Sequence, residues 1–108
     1  MTVEEKIKNA LRIKRKLKVK GTKTFKELEV LFDPETYHSV IKRDIAEEFT
    51  SILYYDEPKS IPILNKKVNA IGICGLIIKM QDCEIDDSFR VAENIEYEII
   101  IGSSTLLK

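Results

Sequence analysis

Leu28-Glu29-Val30-Leu31-Phe32-Asp33-Pro34-Glu35-Thr36-Tyr37-His38-Ser39-Val40-Ile41 is the stretch on which the fold turns. Leu28 to Phe32 is an apolar run that predicts a buried strand, and it stops at Asp33 with a proline directly behind. A short polar loop then carries Glu35, Tyr37 and His38 before Ser39-Val40-Ile41 re-enters the core. Ile41, Ile45 and Phe49 recur every fourth residue, which predicts a short helix over 43–50. An acid at the mouth of a strand, on a loop anchored by apolar residues on both sides, is how a rigid scaffold presents one reactive group.

Working outward, Lys16-Leu17-Lys18-Val19-Lys20 alternates strictly and predicts a strand with one wet face. Gly21-Thr22-Lys23 turns the chain and Lys26 to Phe32 returns, so the two strands form a hairpin. Upstream, Thr2 with Glu5 three residues later reads as a capping box for a helix over 2–12. Downstream, Ile52 to Tyr55 is apolar, and Asp56-Glu57-Pro58-Lys59-Ser60 predicts a turn. Pro62 confines Ile61 to Leu64 to an edge. Val68 to Met80 is long and apolar, and Gly72 and Gly75 within it suggest a bend or a hairpin tip. Asp86-Asp87 predicts a turn, Ser88 to Ala92 and Tyr97 to Ile101 predict strands, and a last helix is expected over 103–108. Many short strands at close spacing predict a mainly β domain, a small barrel or sandwich.

The 108 residues suit one domain, expected to span 1–108 with a basic extension at 1–16. Eighteen basic and eighteen acidic side chains cancel, which excludes a global polyelectrolyte partner. No run approaches the ~18 apolar residues that span a bilayer. Met1 to Glu5 bears acids where a signal peptide has bases. Cys74 and Cys83 are too few for a disulfide framework and too widely spaced for a Cys-x-x-Cys site, so a reducing, cytoplasmic setting is expected. Lys, Glu and Ile are abundant and glutamine occurs only at Gln81, a usage like that of thermophile proteins. Lys6 to Lys26 contains no acid. A solvated face that also guards a strand edge is the commoner meaning of such a stripe than a phosphate contact.

The segment Leu31-Phe32-Asp33 with Ser39-Val40-Ile41 resembles the active-site segment of retropepsin-like aspartic proteases, whose pattern is apolar residues, Asp-Thr-Gly-Ala, about two residues, then Ser or Thr, Val, Ile or Leu. Ala46-Glu47-Glu48-Phe49 is similar to the helix that follows in archaeal and bacterial members. Ile100-Ile101-Gly102 with Leu106-Leu107 resembles the family's second signature, and Ile71-Gly72-Ile73-Cys74-Gly75-Leu76-Ile77 resembles its glycine-rich flap. The resemblance covers about Leu17 to the C-terminus, with the features in the family's order.

It implies a small closed retropepsin-like β-barrel, working as a homodimer with no cofactor or metal. Paired Asp33 residues, one per subunit, would share a proton and hydrolyse peptide bonds without a covalent intermediate. Glu35, Tyr37 and His38 on the loop, and Ile71, Gly72, Ile73 and Gly75 in the flap, would contact the peptide. The sequence departs from the family at Pro34 and Glu35, where Thr and Gly are expected. Pro34 has no hydroxyl or N–H to brace the opposite loop, and Glu35 adds a second negative charge. The alternative is a non-catalytic dimeric β-barrel module that binds peptide, protein or nucleic acid. Because the family builds its interface from the chain ends and Lys108 falls in the last helix, that interface is expected to be assembled differently here.

Overall fold

The structure, a computed structural model, describes residues 13–107; the helix expected at 2–12 lies outside the described residues. Its elements are β1 (Ile13–Lys20), β2 (Phe25–Phe32), β3 (Val40–Lys42), α1 (Arg43–Phe49), β4 (Leu53–Ile63), β5 (Lys66–Lys79), β6 (Glu84–Ala92), β7 (Ile99–Ile101) and α2 (Ser103–Leu106). The strands form one sheet in the order β1-β2-β7-β3-β6-β5-β4. A further pairing of Lys18–Lys20 with Ile77–Lys79 joins β1 to β5, so six strands close into a ring and β4 hangs from β5. The expected mainly β architecture is what the chain adopts.

Two short strands, β3 and β7, divide the interior together with β2. β7 lies between β2 and β3, parallel to β2 (Val30 with Ile99, Phe32 with Ile101) and antiparallel to β3 (Val40 with Ile100). Ile99 and Ile101 enter a large core with Val19, Leu28, Val30, Ile41, Phe49, Leu76, Ile78 and Phe89. Ile100 points the other way, into a smaller core with Leu31, Val40, Ile61, Ile63, Val68 and Ile95. Strands covered on both faces read as unbroken apolar runs instead of alternating ones, which is why the sequence writes Val-Leu-Phe, Val-Ile and Ile-Ile-Ile there. Ile99, Ile100 and Ile101 are fully buried, and each such side chain contributes about 1.5–3 kcal/mol of transfer free energy.

The expected β1–β2 hairpin forms, with Leu17 opposite Leu28 and Lys16 opposite Glu29. Strand β1 starts at Ile13, so the expected basic extension over 1–16 gives its last four residues to the sheet. The helix expected over 43–50 spans Arg43–Phe49, and Thr50 caps its C-terminal end.

Elsewhere the sequence expectation is corrected. Asp56 to Ser60 is not a turn between elements; it is the irregular middle of β4, whose register shifts between Tyr54 and Lys59. Pro58 is tolerated there because the outer edge of β4 pairs with no described strand. Asp86-Asp87 likewise lies within β6. The expected hairpin tip near Gly72 and Gly75 is also wrong: β5 runs unbroken from Lys66 to Lys79. The tip falls instead at Leu64 and Asn65, both left-handed (φ 50° and 66°), as a two-residue connection between twisted strands demands. Among the described residues, no helix is long and apolar enough to cross a membrane.

Candidate active site

Asp33 stands where β2 runs out. Its N–H donates to the Ile101 carbonyl (2.9 Å), which is the last bond of the β2–β7 ladder, and the residue is fully buried. The next three residues fold into a tight turn closed by Thr36 N–H donating to the Asp33 carbonyl (3.2 Å). Asp at the first position of such a turn and Pro at the second are favoured residues, because Pro presets φ and the Asp side chain accepts from the backbone ahead. That bond forms: Glu35 N–H donates to Asp33 Oδ1 (3.1 Å). The Thr36 hydroxyl donates to Oδ2 (3.0 Å), with Thr36 itself buried. Each carboxylate oxygen is therefore held by its own loop. Pro34 costs the loop nothing internally, since the donors come from the two residues after it.

The second signature grips this loop from the side. Gly102 follows β7, and a Cβ there would lie 2.4 Å from the Thr36 carbonyl oxygen and 2.6 Å from those of Tyr37 and His38. Only glycine lets three carbonyls come so near. Ser103 N–H donates to the Thr36 carbonyl (2.8 Å) and Ser104 N–H to that of Tyr37 (2.9 Å). Ser39 closes the far end: its Oγ accepts from Gly102 N–H (2.9 Å) and hydrogen-bonds the Thr105 hydroxyl, all in the interior. Its carbonyl accepts from Arg90 N–H on β6 (2.9 Å).

Glu35 and Tyr37 project from this loop into solvent, and His38 is half-buried with its ring edge-on to Tyr37 at 5.1 Å. Burial, and secondly the charge of Arg90, hold the imidazole below its ordinary range. Among the described residues, no group of three or more His, Cys, Asp or Glu side chains is placed to hold a metal ion.

A cleft of about 190 Å³ opens between the β4–β5 tip (Ile63, Leu64, Asn65, Lys66) and the 94–97 loop, with Ile100 among its lining. It is smaller than the ~300–1,000 Å³ of sites for small organic ligands, a size that suits one side chain. Its apolar wall is the smaller core, which also contains Leu31, two residues before Asp33 on the same strand face. Lys66 and Glu96 form an ion pair across its rim (2.9 Å).

Of the residues singled out from sequence, Asp33, Glu35, Tyr37 and His38 share one loop. Gly72, Ile73 and Gly75 lie in mid-strand, opposite Val91, Arg90 and Ser88 of β6, with Ile71 at the register shift beside them. They form no tip. Gly72 is a close-approach glycine, its missing Cβ 2.5 Å from the Leu53 carbonyl oxygen. Sequence reasoning missed Thr36, whose signal was a hydroxyl three residues after the acid. It also missed that the 94–97 loop lines a cleft, since its one local signal was turn composition at Glu93-Asn94.

No protein-family model and no curated protein matches the chain by sequence. Solved structures do. EIAV protease, complexed with the inhibitor HBY-793, superimposes with a TM-score of 0.65 at 20% identity, covering 89% of this chain and 86% of that one. The fold is retropepsin-like. The retroviral protease-like domain of Ddi1 from Leishmania major is also similar (TM-score 0.59, 14% identity), over 85% of this chain and 74% of that domain. The β4–β5 hairpin is tipped by Leu64 and Asn65, with no glycine at its tip.

Proposed function

We propose that this chain is one half of a composite aspartic peptidase site: two copies bring their Asp33 loops together and hydrolyse an extended peptide held beneath the β4–β5 hairpin. The observation that carries this is the Asp33 carboxylate itself, oriented at the end of β2 by the Glu35 amide and the Thr36 hydroxyl on a loop locked to Gly102. The surroundings support a second copy as the partner. Among the described residues, Ile13 (40% exposed), Tyr37 (63%) and Leu107 (84%) are three of the six large apolar side chains left in solvent, and each belongs to an element tied to this loop. Ile13 pairs with Phe32, Tyr37 lies on the loop, and Leu107 ends α2. Two carboxylates meeting at the axis share one proton; one then acts as base towards water and the other as acid towards the peptide carbonyl. The cleft between the hairpin and the 94–97 loop takes one side chain of the substrate. The whole unit is a single domain, and its two free thiols, Cys74 and Cys83, accord with a reducing, cytoplasmic setting.

A second reading, a peptide-binding dimer without turnover, is favoured by the complete burial of Asp33 and by the charge of Glu35 beside it. Acid-pH cleavage of unstructured peptides, compared between the native chain and Asp33→Asn, separates the two. Cleavage lost in the variant supports the peptidase. Peptide binding without cleavage in either protein supports the module, and absence of both removes the site.

A further inference from the structure

His38 is the chain's one histidine, and it stands on the Asp33 loop between two anchored residues. Its carbonyl oxygen is packed against Gly102, and the Ser39 carbonyl next to it accepts from Arg90 N–H. The ring's Nδ1 is buried and meets no hydrogen-bonding partner among the described residues. The charged group acting on it is Arg90 from β6. The α2 end packed on the loop offers Ser103 and Ser104, which do not titrate. Asp33 and Glu35 share the loop, but Oδ1 and Oδ2 of Asp33 are engaged by the Glu35 amide and the Thr36 hydroxyl.

A proton added to this ring places a new N–H donor and a positive charge at a half-buried position already beside a guanidinium. Both effects disfavour the packed ring. The relief open to the ring is to turn towards water. We propose that His38 is a proton-operated release on the Asp33 loop: protonated beside Arg90, it lifts the 36–38 segment from Gly102 and withdraws the Thr36 hydroxyl from the acid. Burial and Arg90 hold the imidazole below its ordinary 6.5, so the packed loop prefers it neutral. The stabilisation is complete above that value and is lost as the pH falls from there through the folded midpoint. The site thus carries an acid limit of its own, opposed to the shared proton that paired carboxylates require.

The inference takes the loop to be the functional site, as proposed above, but its test needs no turnover. With one histidine in the chain, the imidazole carbon-bound protons report a single titration by NMR. Its midpoint is expected below 6.5, with the amides of Thr36, Gly102, Ser103 and Ser104 shifting at the same midpoint. In His38→Gln those amide shifts should vanish across that range, with the methyl spectrum of the core unchanged. A midpoint at or above 6.5, or amide shifts that persist in His38→Gln, overturns the proposal. If His38→Gln does not fold, Arg90→Gln decides: the midpoint should move up towards 6.5, and an unmoved midpoint overturns it equally.

Discussion

At the scale of single residues, the loop works by satisfying one buried acid. Thr36 gives its hydroxyl to Asp33 Oδ2 in the interior, and a hydrogen bond to a charged group contributes about 1.5–3 kcal/mol. Thr36→Val should lower stability in urea by about that amount, with Thr36→Ser recovering most of it. An equal loss in both variants would mean that packing, not the hydroxyl, matters there. Gly102 and Gly75 make a matched pair. A methyl at Gly102 meets three backbone carbonyl oxygens, which cannot retreat without dismantling the loop, so Gly102→Ala should cost about 1–3 kcal/mol or more. A methyl at Gly75 meets nothing within 4 Å, so Gly75→Ala should stabilise β5 by about 0.5–1 kcal/mol. Pro34 shows how a departure from a family pattern is absorbed locally. It suits the second position of the turn and lacks only a donor that the turn does not use.

At the scale of elements, the hairpin β4–β5 is the feature that changed place. Glycines in an apolar run suggested a tip at Ile71 to Leu76, but Gly72 serves the close passage of β4 across β5 and Gly75 merely faces open space. The true tip puts Leu64, not glycine, in the left-handed region, a cost that its packing against the smaller core offsets. Hydrogen exchange separates the two assignments. The amides of Asn65 and Lys66 should exchange fast, whereas those of Gly72, Ile73 and Cys74, paired to β6 and β4, should be protected like Ile99 to Ile101. Fast exchange at Gly72 to Cys74 would place a mobile tip there instead. Cys74 offers a second readout of the same strand. Burial pushes its thiol up to about 12, so alkylation should modify Cys83 alone until the protein unfolds.

At the scale of the whole molecule, charge and apolar exposure assign different roles to different surfaces. The lysine stripe of β1 is compensated across the hairpin, where Lys16 faces Glu29 and Lys18 faces Glu27, and Lys14 lies 4.0 Å from Glu29. The native chain should therefore show no salt-sensitive oligonucleotide binding, and Glu27→Gln with Glu29→Gln should uncover some. Tight binding by the unaltered protein would contradict that compensation. The apolar exposure of Ile13, Tyr37 and Leu107 around the Asp33 loop predicts self-association through that end. Sedimentation should report about twice 12.5 kDa, falling to the single-chain mass in Tyr37→Lys with Leu107→Lys. A native monomer at micromolar concentration would leave Asp33 without its partner acid.

The local signals in this chain were enough for what local interactions decide. Alternation gave the β1–β2 hairpin, a four-residue recurrence gave α1, and apolar runs marked β2 and β7 as buried strands. The order of the Asp33 segment, a glycine-bearing apolar run and Ile-Ile-Gly suggests a retropepsin-like fold from sequence alone. What the sequence could not settle depends on contacts far apart in the chain. Gly72 and Gly75 look alike in one dimension, and only the approach of Leu53 distinguishes them. Asp56 to Ser60 has turn composition, yet pairing along β5 draws it into a strand. The tertiary structure shows the acid held by an amide and a hydroxyl that a proline does not disturb, and held in place by a glycine 69 residues away. Backbone propensity is written residue by residue, whereas close packing is a property of pairs, and the pairs that build this site are made only when β7 slides between β2 and β3.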